Sequence, residues 1–248
     1  MPPVELLAPL AAIAFGAGVI QGLSGFGSAL VAVPLFALIL PIETLVPLMA
    51  LLGAGISALN LVHLRTQVRL RPVVRLLFGY LLGTPLGLLF LARAPEALVL
   101  GVLGVLLCGY ALRALLGRQP RARWLREWRV ALGAVSGALG AAFSTNGPPV
   151  ILHVAAHPEW GADRQKATLV LFLLLASVIT VAAHGVSGLI TGEVLRLLLW
   201  SAPTLVLGAL AGLWLYRRLG NYGYQRLVLA LILATGVLML WRSLAGVV

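Results

Sequence analysis

Two short clusters of glycine and neutral polar residues interrupt an otherwise apolar sequence. One cluster lies within Gly18–Pro34 and the other within Gly133–Pro149. Their hydrogen-bonding side chains belong to Gln21, Ser24 and Ser28 in the first cluster and to Ser144, Thr145 and Asn146 in the second. Hydroxyl and amide groups donate hydrogen bonds without carrying charge, and no carboxylate stands beside them to repel an anion. These residue types favour the binding of a small anion.

The two clusters occupy matching places in the sequence. Each follows an apolar segment that contains spaced glycines, and each precedes another apolar run. The matched residues, 115 positions apart, are Gly18 with Gly133, Gly22 with Gly137, Gly25 with Gly140, and Pro34 with Pro149. Helix interruptions that recur in both halves of an apolar chain are typical of transporters, which bind substrate between their repeats near the middle of the membrane.

A short helix is predicted to begin at each cluster, near Gly27–Ser28 and near Gly147–Pro148. As a helix, residues 28–40 would rise about 20 Å, less than the roughly 30 Å hydrocarbon core, so they form a half-helix, a re-entrant arm or part of a broken span. The free N–H groups and the positive dipole end of such a helix attract an anion. We expect the two helix starts to converge on the substrate. In the simpler alternative, the polar residues only cap helices and the glycines only allow close packing.

His153 and His157 are four residues apart and therefore share one helix face. This spacing suits a metal site, but the glutamate of a zinc-protease helix is missing and Pro158 follows directly, so we predict no metal and no cofactor. His153 is predicted as a polar group near the anion site, where it would carry the proton if transport is proton-coupled. The other two histidines, His63 and His184, are predicted to be interfacial.

The overall composition defines the elements that hold these residues. Hydrophobic residues make up 61% of the chain and charged residues 10%, against roughly 45–50% and about 25% in soluble domains. Apolar runs recur along the whole chain without the alternation of barrel strands. We therefore predict an all-α polytopic membrane protein. Cys108 is the single cysteine, which excludes an internal disulfide.

Positive charge is concentrated between the apolar runs. The net charge is +11, from 17 arginines and one lysine against seven acidic residues. The arginines gather at residues 65–75, 117–129 and 217–226, as in cytoplasmic loops facing anionic lipid, and no soluble domain exists to bind nucleic acid. We predict a multi-pass protein of the cell inner (plasma) membrane with both termini outside. No acidic residue lies deep in an apolar segment, which disfavours cation transport.

Eight to ten hydrophobic segments are predicted, depending on whether short segments 2 and 7 cross the membrane or re-enter. The ten are 4–21, 28–40, 44–64, 73–91, 96–116, 130–143, 148–157, 167–186, 194–216 and 224–244. They form two repeats, residues 1–117 and 130–248, joined by a basic cytoplasmic linker at 118–129. Because each repeat contains five segments, an odd number, the repeats have inverted topologies.

A second internal match supports this duplication. Gly83 and Gly87 of segment 4 are spaced like Gly208 and Gly212 of segment 9. Small residues four positions apart let helix backbones approach closely, so this match alone is also explained by packing. Together with the first match, it favours a duplicated chain.

The two clusters resemble those of the TauE/SafE family of membrane anion permeases, also described as sulfite exporters. The resemblance is carried by GLSGFGSALVAVPLF at Gly22–Phe36 and NGPPVILH at Asn146–His153. The family pattern has a Gly-Phe-Gly-Ser run before a Val-Pro-Leu element, and a Gly-Gly-Pro-Pro run before aliphatic residues. In this chain Asn146 replaces the first glycine of the second run, and His153 stands where an aromatic residue is common.

The resemblance implies transport of sulfite, sulfonates or related small sulfur oxyanions. It implies a path lined by Gly25, Phe26, Gly27, Ser28, Gly147, Pro148 and Pro149. Backbone donors are expected at Gly27, Ser28 and Gly147, and Phe26 and Phe143 are candidate hydrophobic gates. The full predicted binding set is Gln21, Ser24, Gly25, Phe26, Gly27, Ser28, Ser144, Thr145, Asn146, Gly147, Pro148 and His153.

The sequence thus predicts a transporter and not an enzyme, whose partners are a small anion and the lipid bilayer. The first alternative is transport of another small anion, such as a carboxylate. A less favoured alternative is an intramembrane enzyme that uses His153, with Ser144 as a loose nucleophile partner and no orienting carboxylate.

Overall fold

The structure is a computed structural model and describes residues 4–24, 28–64, 69–116, 124–157, 159–219 and 223–245. The described residues form eleven α-helices and no strands. The helices are α1 Val4–Ser24, α2 Ser28–Phe36, α3 Ile42–Leu64, α4 Arg71–Arg93, α5 Glu96–Leu115, α6 Trp124–Glu127, α7 Arg129–Phe143, α8 Gly147–Ala155, α9 Ala162–Val186, α10 Gly192–Leu219 and α11 Gly223–Ala245. The predicted all-α class is confirmed.

Every predicted hydrophobic segment corresponds to one helix. The additional element is α6, a single turn within the basic linker. Within the part of the chain that the structure describes, five stretches are long and apolar enough to cross a membrane: Ile42–Leu61, Arg71–Arg93, Glu96–Leu115, Arg164–Val186 and Gly192–Leu215. Shorter apolar stretches lie at Leu7–Leu23, Arg129–Phe143 and Leu229–Ala245. These helices confirm a polytopic membrane protein.

The short helices α2 and α8 follow the two predicted interruptions. Each contains nine residues and so rises about 14 Å, roughly half of a hydrocarbon core. Three residues separate the end of α1 from the start of α2, and three separate the end of α7 from the start of α8. The polypeptide therefore breaks twice, each time just before a nine-residue helix.

The helices group into two compact units that do not coincide with the halves of the sequence. The first unit contains α1, α2, α5, α10 and α11, and the second contains α4 and α6–α9 with α3 from Val46 onward. Each unit therefore combines helices from both predicted repeats. The duplication at 1–117 and 130–248 is a separate division of the chain and stays a prediction.

In the first unit, α1 packs directly against α10 through glycines. A Cβ on Gly18 would overlap the carbonyl oxygen of Leu205, and a Cβ on Gly208 would overlap that of Phe15. Close backbone approach of this kind requires glycine. Helix α2 is held at its C-terminal end, where the Arg242 guanidinium of α11 donates to the carbonyl oxygen of Ala37 at 2.7 Å.

In the second unit, α4 and α7 make the corresponding contact. A Cβ on Gly137 would overlap the Tyr80 carbonyl oxygen, and one on Gly83 would overlap that of Ala134. Tyr80 and Phe172 are completely buried beside this crossing, with ring centroids 5.7 Å apart in an edge-to-face arrangement. The glycine contact and the aromatic pair together set how α7 approaches the rest of its unit.

The two crossings match contact by contact, but not in the register that the sequence favours. Gly79 and Gly83 meet the carbonyl oxygens of Val130 and Ala134, just as Gly208 and Gly212 meet those of Phe15 and Val19. Val130 and Ala134 lie 115 positions after Phe15 and Val19, in agreement with the glycine match of α1 and α7. For α4 and α10, however, the residue of α4 that is equivalent to Gly208 is Gly79 and not Gly83. The predicted pairing of Gly83 with Gly208 is therefore wrong by one helical turn.

The helix breaks are shifted in a similar way. Ser28, the first residue of α2, corresponds by position to Gly147 at the start of α8, 119 residues later. The glycines of α1 and α7 are separated by 115 residues, so α7 continues one turn further before it breaks. As a result Pro34 lies in the seventh position of α2, whereas Pro149 lies in the third position of α8.

Gly137→Ala is expected to destabilise the fold by about 1–3 kcal/mol, because its methyl group would displace the Tyr80 backbone. Gly109→Ala is the matched control, since a Cβ there has nothing within 4 Å, and it should be neutral or stabilising by up to about 1 kcal/mol. Thermal unfolding of the purified protein in detergent measures both effects. Equal midpoints for the two variants would contradict the described crossing.

Candidate functional site

The break between α7 and α8 is a tight turn. Ser144 is in the left-handed region with φ 51° and ends α7. Its N–H donates to the Gly140 carbonyl oxygen at 2.9 Å, and the N–H of Thr145 donates to that of Leu139 at 3.4 Å. The Ser144 hydroxyl donates to the carbonyl oxygen of Val46 at 2.6 Å. A helix end of this type satisfies the last carbonyls of α7 and redirects the chain into α8.

The hydroxyl groups near this break already donate their protons. The Thr145 hydroxyl donates to the Phe143 carbonyl oxygen at 3.0 Å, and the Ser136 hydroxyl donates to that of Asn146. A hydroxyl has a single proton to donate. Together with Ser144, these residues therefore hold the shape of the turn through their donated protons.

The start of α8 presents backbone donors instead. Proline at the second and third positions of α8 carries no N–H, so the donors left at this end are the amides of Asn146 and Gly147. Neither amide has a hydrogen-bond partner among the described residues. The side chain of Asn146 does not cap the helix either. These two N–H groups, at the positive end of the helix dipole, are the groups suited to receive an anion.

The side chain of Asn146 bonds to a buried network that the sequence did not indicate. The Tyr80 hydroxyl lies 2.5 Å from the Thr180 hydroxyl oxygen and also bonds to the Asn146 side chain. A Cβ on Gly140 would overlap this hydroxyl, so glycine makes room for it. Tyr80 and Thr180 lie inside long apolar segments. The one signal for them in the sequence is that their side chains can form hydrogen bonds.

His184 also contacts this region, one turn after Thr180 on α9. Its side chain is completely buried, and its Nε2 lies 3.0 Å from the carbonyl oxygen of Ala141 in the last turn of α7. The prediction that His184 is interfacial therefore needs correction. The residue lies near the end of α9, as expected, but it packs inside the unit because it satisfies a carbonyl at the end of α7.

At the first break, the side chain of Gln21 bonds to the start of α2. Gln21 is buried, and its Oε1 accepts from the N–H of Ser28 at 3.3 Å. Gln21 thus caps the first turn of α2, as the simpler alternative expects of a polar residue. Ser24 ends α1. Its side chain and the residues Gly25, Phe26 and Gly27 lie outside the described part of the structure.

His153 lies in a different cluster, six residues beyond the start of α8. Its Nδ1 is 2.7 Å from the carbonyl oxygen of Leu125 in α6, and its ring stands edge-on to His157 at 5.0 Å. Six helical residues rise about 9 Å, so His153 lies about 9 Å along α8 from its start. Its contact is with the linker helix α6 and not with the break. Ser144 and His153 each bond to a backbone carbonyl, and neither bonds to the other, so the loose enzymatic pair is not formed.

The loop after α8 ties this histidine cluster to the linker. His157 stacks on Trp160 with centroids 4.2 Å apart, and its Nδ1 lies 2.8 Å from Glu159 Oε1. Arg126 donates to Glu159 at 3.2 Å. The hydrogen bond from His157, and then the Arg126 charge, lower the pKa of Glu159. Among the described residues, no three His, Cys, Asp or Glu side chains are grouped to hold a metal.

The structure therefore brings together part of the predicted set. Ser144, Thr145, Asn146, Gly147 and Pro148 form one continuous turn in the second unit, and Gln21 and Ser28 bond to each other in the first. Phe143 is buried against Phe90, with centroids 5.9 Å apart. Phe26, the other candidate gate, lies outside the described residues.

Tyr80→Phe and Thr180→Val should each destabilise the protein by about 1–3 kcal/mol, because each leaves a buried hydroxyl or amide without its partner. Their combined effect should be smaller than the sum, since both remove the same hydrogen bond. Thermal unfolding midpoints measure this coupling. Thr235→Val serves as the control, because the Thr235 hydroxyl bonds only to carbonyls of its own helix. Strict additivity of Tyr80→Phe with Thr180→Val would disprove the network.

Comparison with known proteins identifies the family of this chain. The sequence matches the family described as sulfite exporter TauE/SafE over residues 10–239, nearly the whole chain. No curated protein and no solved structure gives a significant match. The family is one of membrane transporters for sulfite and related anions, which agrees with the apolar helices and with the free amides at α8. The chain therefore belongs to the sulfite exporter TauE/SafE family.

Proposed function

We propose that this protein moves small sulfur oxyanions, such as sulfite, or organosulfonates across the cell membrane, and that the amides of Asn146 and Gly147 bind the anion. The observation that carries the proposal is the pair of backbone donors at the start of α8, which have no partner among the described residues. The family match supports the substrate class.

The chemistry of the break favours an anion over a cation. The side-chain hydroxyls donate to carbonyl oxygens, the prolines remove two further amides, and what remains is a pair of N–H groups on a helix dipole. Carboxylates are remote in sequence from this turn. Those whose side chains the structure describes lie at helix ends or in loops, at Glu43, Glu96, Glu127, Glu159 and Glu193. A negative group can therefore approach α8 without repulsion from a neighbouring carboxylate.

The first break is proposed to bind an anion through Ser28. Its N–H is held by Gln21 at 3.3 Å, which is longer than most N–H···O bonds. The amide oxygen of Gln21 is a neutral acceptor, and an anionic oxygen forms a stronger hydrogen bond with the same N–H. We propose that substrate replaces Gln21 at this donor. Gln21 would then protect the helix start in the absence of substrate.

The charge distribution supports a proposed orientation in the membrane. The arginine-rich loops at 65–75, 117–129 and 217–226 are proposed to be cytoplasmic, in the inner (plasma) membrane, with inverted repeats and both termini outside. An inside-negative potential of 100 mV favours exit of an anion by about 2.3 kcal/mol per charge. An anion that moves without a proton therefore needs no further energy source for export.

Gly147→Ala is expected to reduce sulfite transport without unfolding the protein. A Cβ at Gly147 would lie 3.6 Å from Ile151 Cδ1 and 4.0 Å from Leu173 Cδ2, which is ordinary van der Waals contact. The methyl group thus fits the fold but stands beside the N–H that the anion must reach. Sulfite uptake into proteoliposomes under an imposed potential measures the effect, with Gly109→Ala as the control.

These transport measurements test both the position of the binding site and the class of substrate. A loss of transport in Gly147→Ala, with thermal stability kept, supports anion binding at α8. Normal transport in this variant would place the substrate elsewhere. If the wild-type protein moved acetate but neither sulfite nor ethanesulfonate, the carboxylate alternative would replace the sulfur assignment.

A further inference from the structure

His184 has a buried ring nitrogen that the packing of the fold does not use. Its side chain is 0% exposed, and its Nδ1 is buried without a hydrogen-bond partner among the described residues. The other nitrogen, Nε2, bonds to the Ala141 carbonyl oxygen at 3.0 Å. Buried polar atoms are nearly always paired, so an unpaired one marks a group with a second role.

The bond to Ala141 determines which nitrogen is protonated. A carbonyl oxygen only accepts, so Nε2 must carry a proton and donate it. In neutral His184 the lone pair is then at Nδ1. A proton taken up there converts the ring to imidazolium without breaking the bond to Ala141. The ring can therefore change charge while its position stays fixed.

The location of His184 connects this nitrogen with the anion site. Ala141 lies three residues before Ser144, in the last turn of α7. A Cβ on Gly140, the residue before Ala141, would lie 3.1 Å from Asn146 Cβ, so the start of α8 folds back onto this same turn. Thr180, one turn before His184 on α9, reaches Asn146 through Tyr80. One face of α9 thus contacts the end of α7 and, through Tyr80, the start of α8.

Few charged groups on the neighbouring helices lie where they can act on the His184 ring. Among the side chains that the structure describes, the ionisable ones on the helices around it are Glu43 on α3, Arg71, Arg75, Tyr80 and Arg93 on α4, Arg129 on α7, His153 on α8, and Arg164 and Lys166 on α9. Glu43, Arg71, Arg75, Arg93 and Lys166 are exposed, and a tyrosine hydroxyl is uncharged at neutral pH. Arg164 lies twenty residues before His184, about 30 Å along α9. Arg129 lies twelve residues before Ala141, about 18 Å along α7. His153 bonds to Leu125. An anion at the start of α8 would therefore be the dominant charge acting on His184.

We infer that His184 couples transport to protons by binding one proton at Nδ1 when an anion occupies the start of α8. The inference rests on the proposed function. The proton comes from water on the side where the anion binds, forms an N–H bond at Nδ1, and returns to water on the side where the anion leaves. The imidazolium and the anion offset each other's charge in the buried site. Each transported anion then carries one proton with it.

The first test is sulfite flux in proteoliposomes with the membrane potential clamped at zero and a pH gradient imposed. Flux into protein-free liposomes is subtracted. The wild-type protein is expected to drive sulfite toward the alkaline side, and His184→Gln is expected to lose this response. The glutamine amide retains a donor for the Ala141 carbonyl but does not titrate. His157→Gln is the control and should respond like the wild type.

A second test uses the wild-type protein and is independent of how the variant folds. The chain has four histidines, so ¹⁵N resonances of the ring nitrogens can be assigned by substitution of the other three. In reconstituted protein at neutral pH, Nδ1 of His184 is expected to be unprotonated without sulfite and protonated at saturating sulfite. An unchanged neutral ring in the presence of bound sulfite would overturn the inference.

The outcomes separate this inference from the proposed function. No sulfite movement in the wild-type protein under any gradient would remove the proposed function itself. Movement that follows the membrane potential, with no response to the pH gradient and no proton flux, would keep the proposed function and reject the role of His184. A pH response that persists in His184→Gln would reject it as well.

Discussion

Helix backbones touch at glycine faces in both units of this protein, and that contact positions the helix that precedes each break. Water does not drive helices together inside a bilayer, so association relies on close packing and hydrogen bonds. Gly137 lets the backbone of α7 rest on the Tyr80 carbonyl, and Gly140 leaves room for the Tyr80 hydroxyl. The same row of glycines therefore packs the helix and admits the tyrosine that holds Asn146. A side chain at either position would disturb both.

This packing explains why the proposed anion site is made of backbone. Hydroxyl protons at Ser136, Ser144 and Thr145 are used to hold the turn. The first amides of α8 are left over because the chain breaks there and two prolines follow. A site of this kind recognises negative charge and small size more than a particular arrangement of oxygens. Such recognition is consistent with a family that carries sulfite and related anions.

Much of the fold could be predicted, because apolar runs and glycine clusters report helices and breaks directly. The register of α4 with α10 could not, since Gly79, Gly83 and Gly87 repeat every four residues and any one-turn shift gives an equally good match. The roles of Tyr80, Thr180 and His184 depend on contacts between helices far apart in sequence. Sequence also cannot tell whether the hydroxyl of Thr145 donates to a substrate or to the Phe143 carbonyl.

The account is tested most directly by the amide resonance of Gly147 in reconstituted protein titrated with sulfite. If the anion binds at the start of α8, the ¹⁵N and ¹H shifts of this amide move saturably with sulfite concentration, while those of Gly109 in α5 stay constant. Sulfite transport by the same preparation, with no change at Gly147, would contradict the central claim.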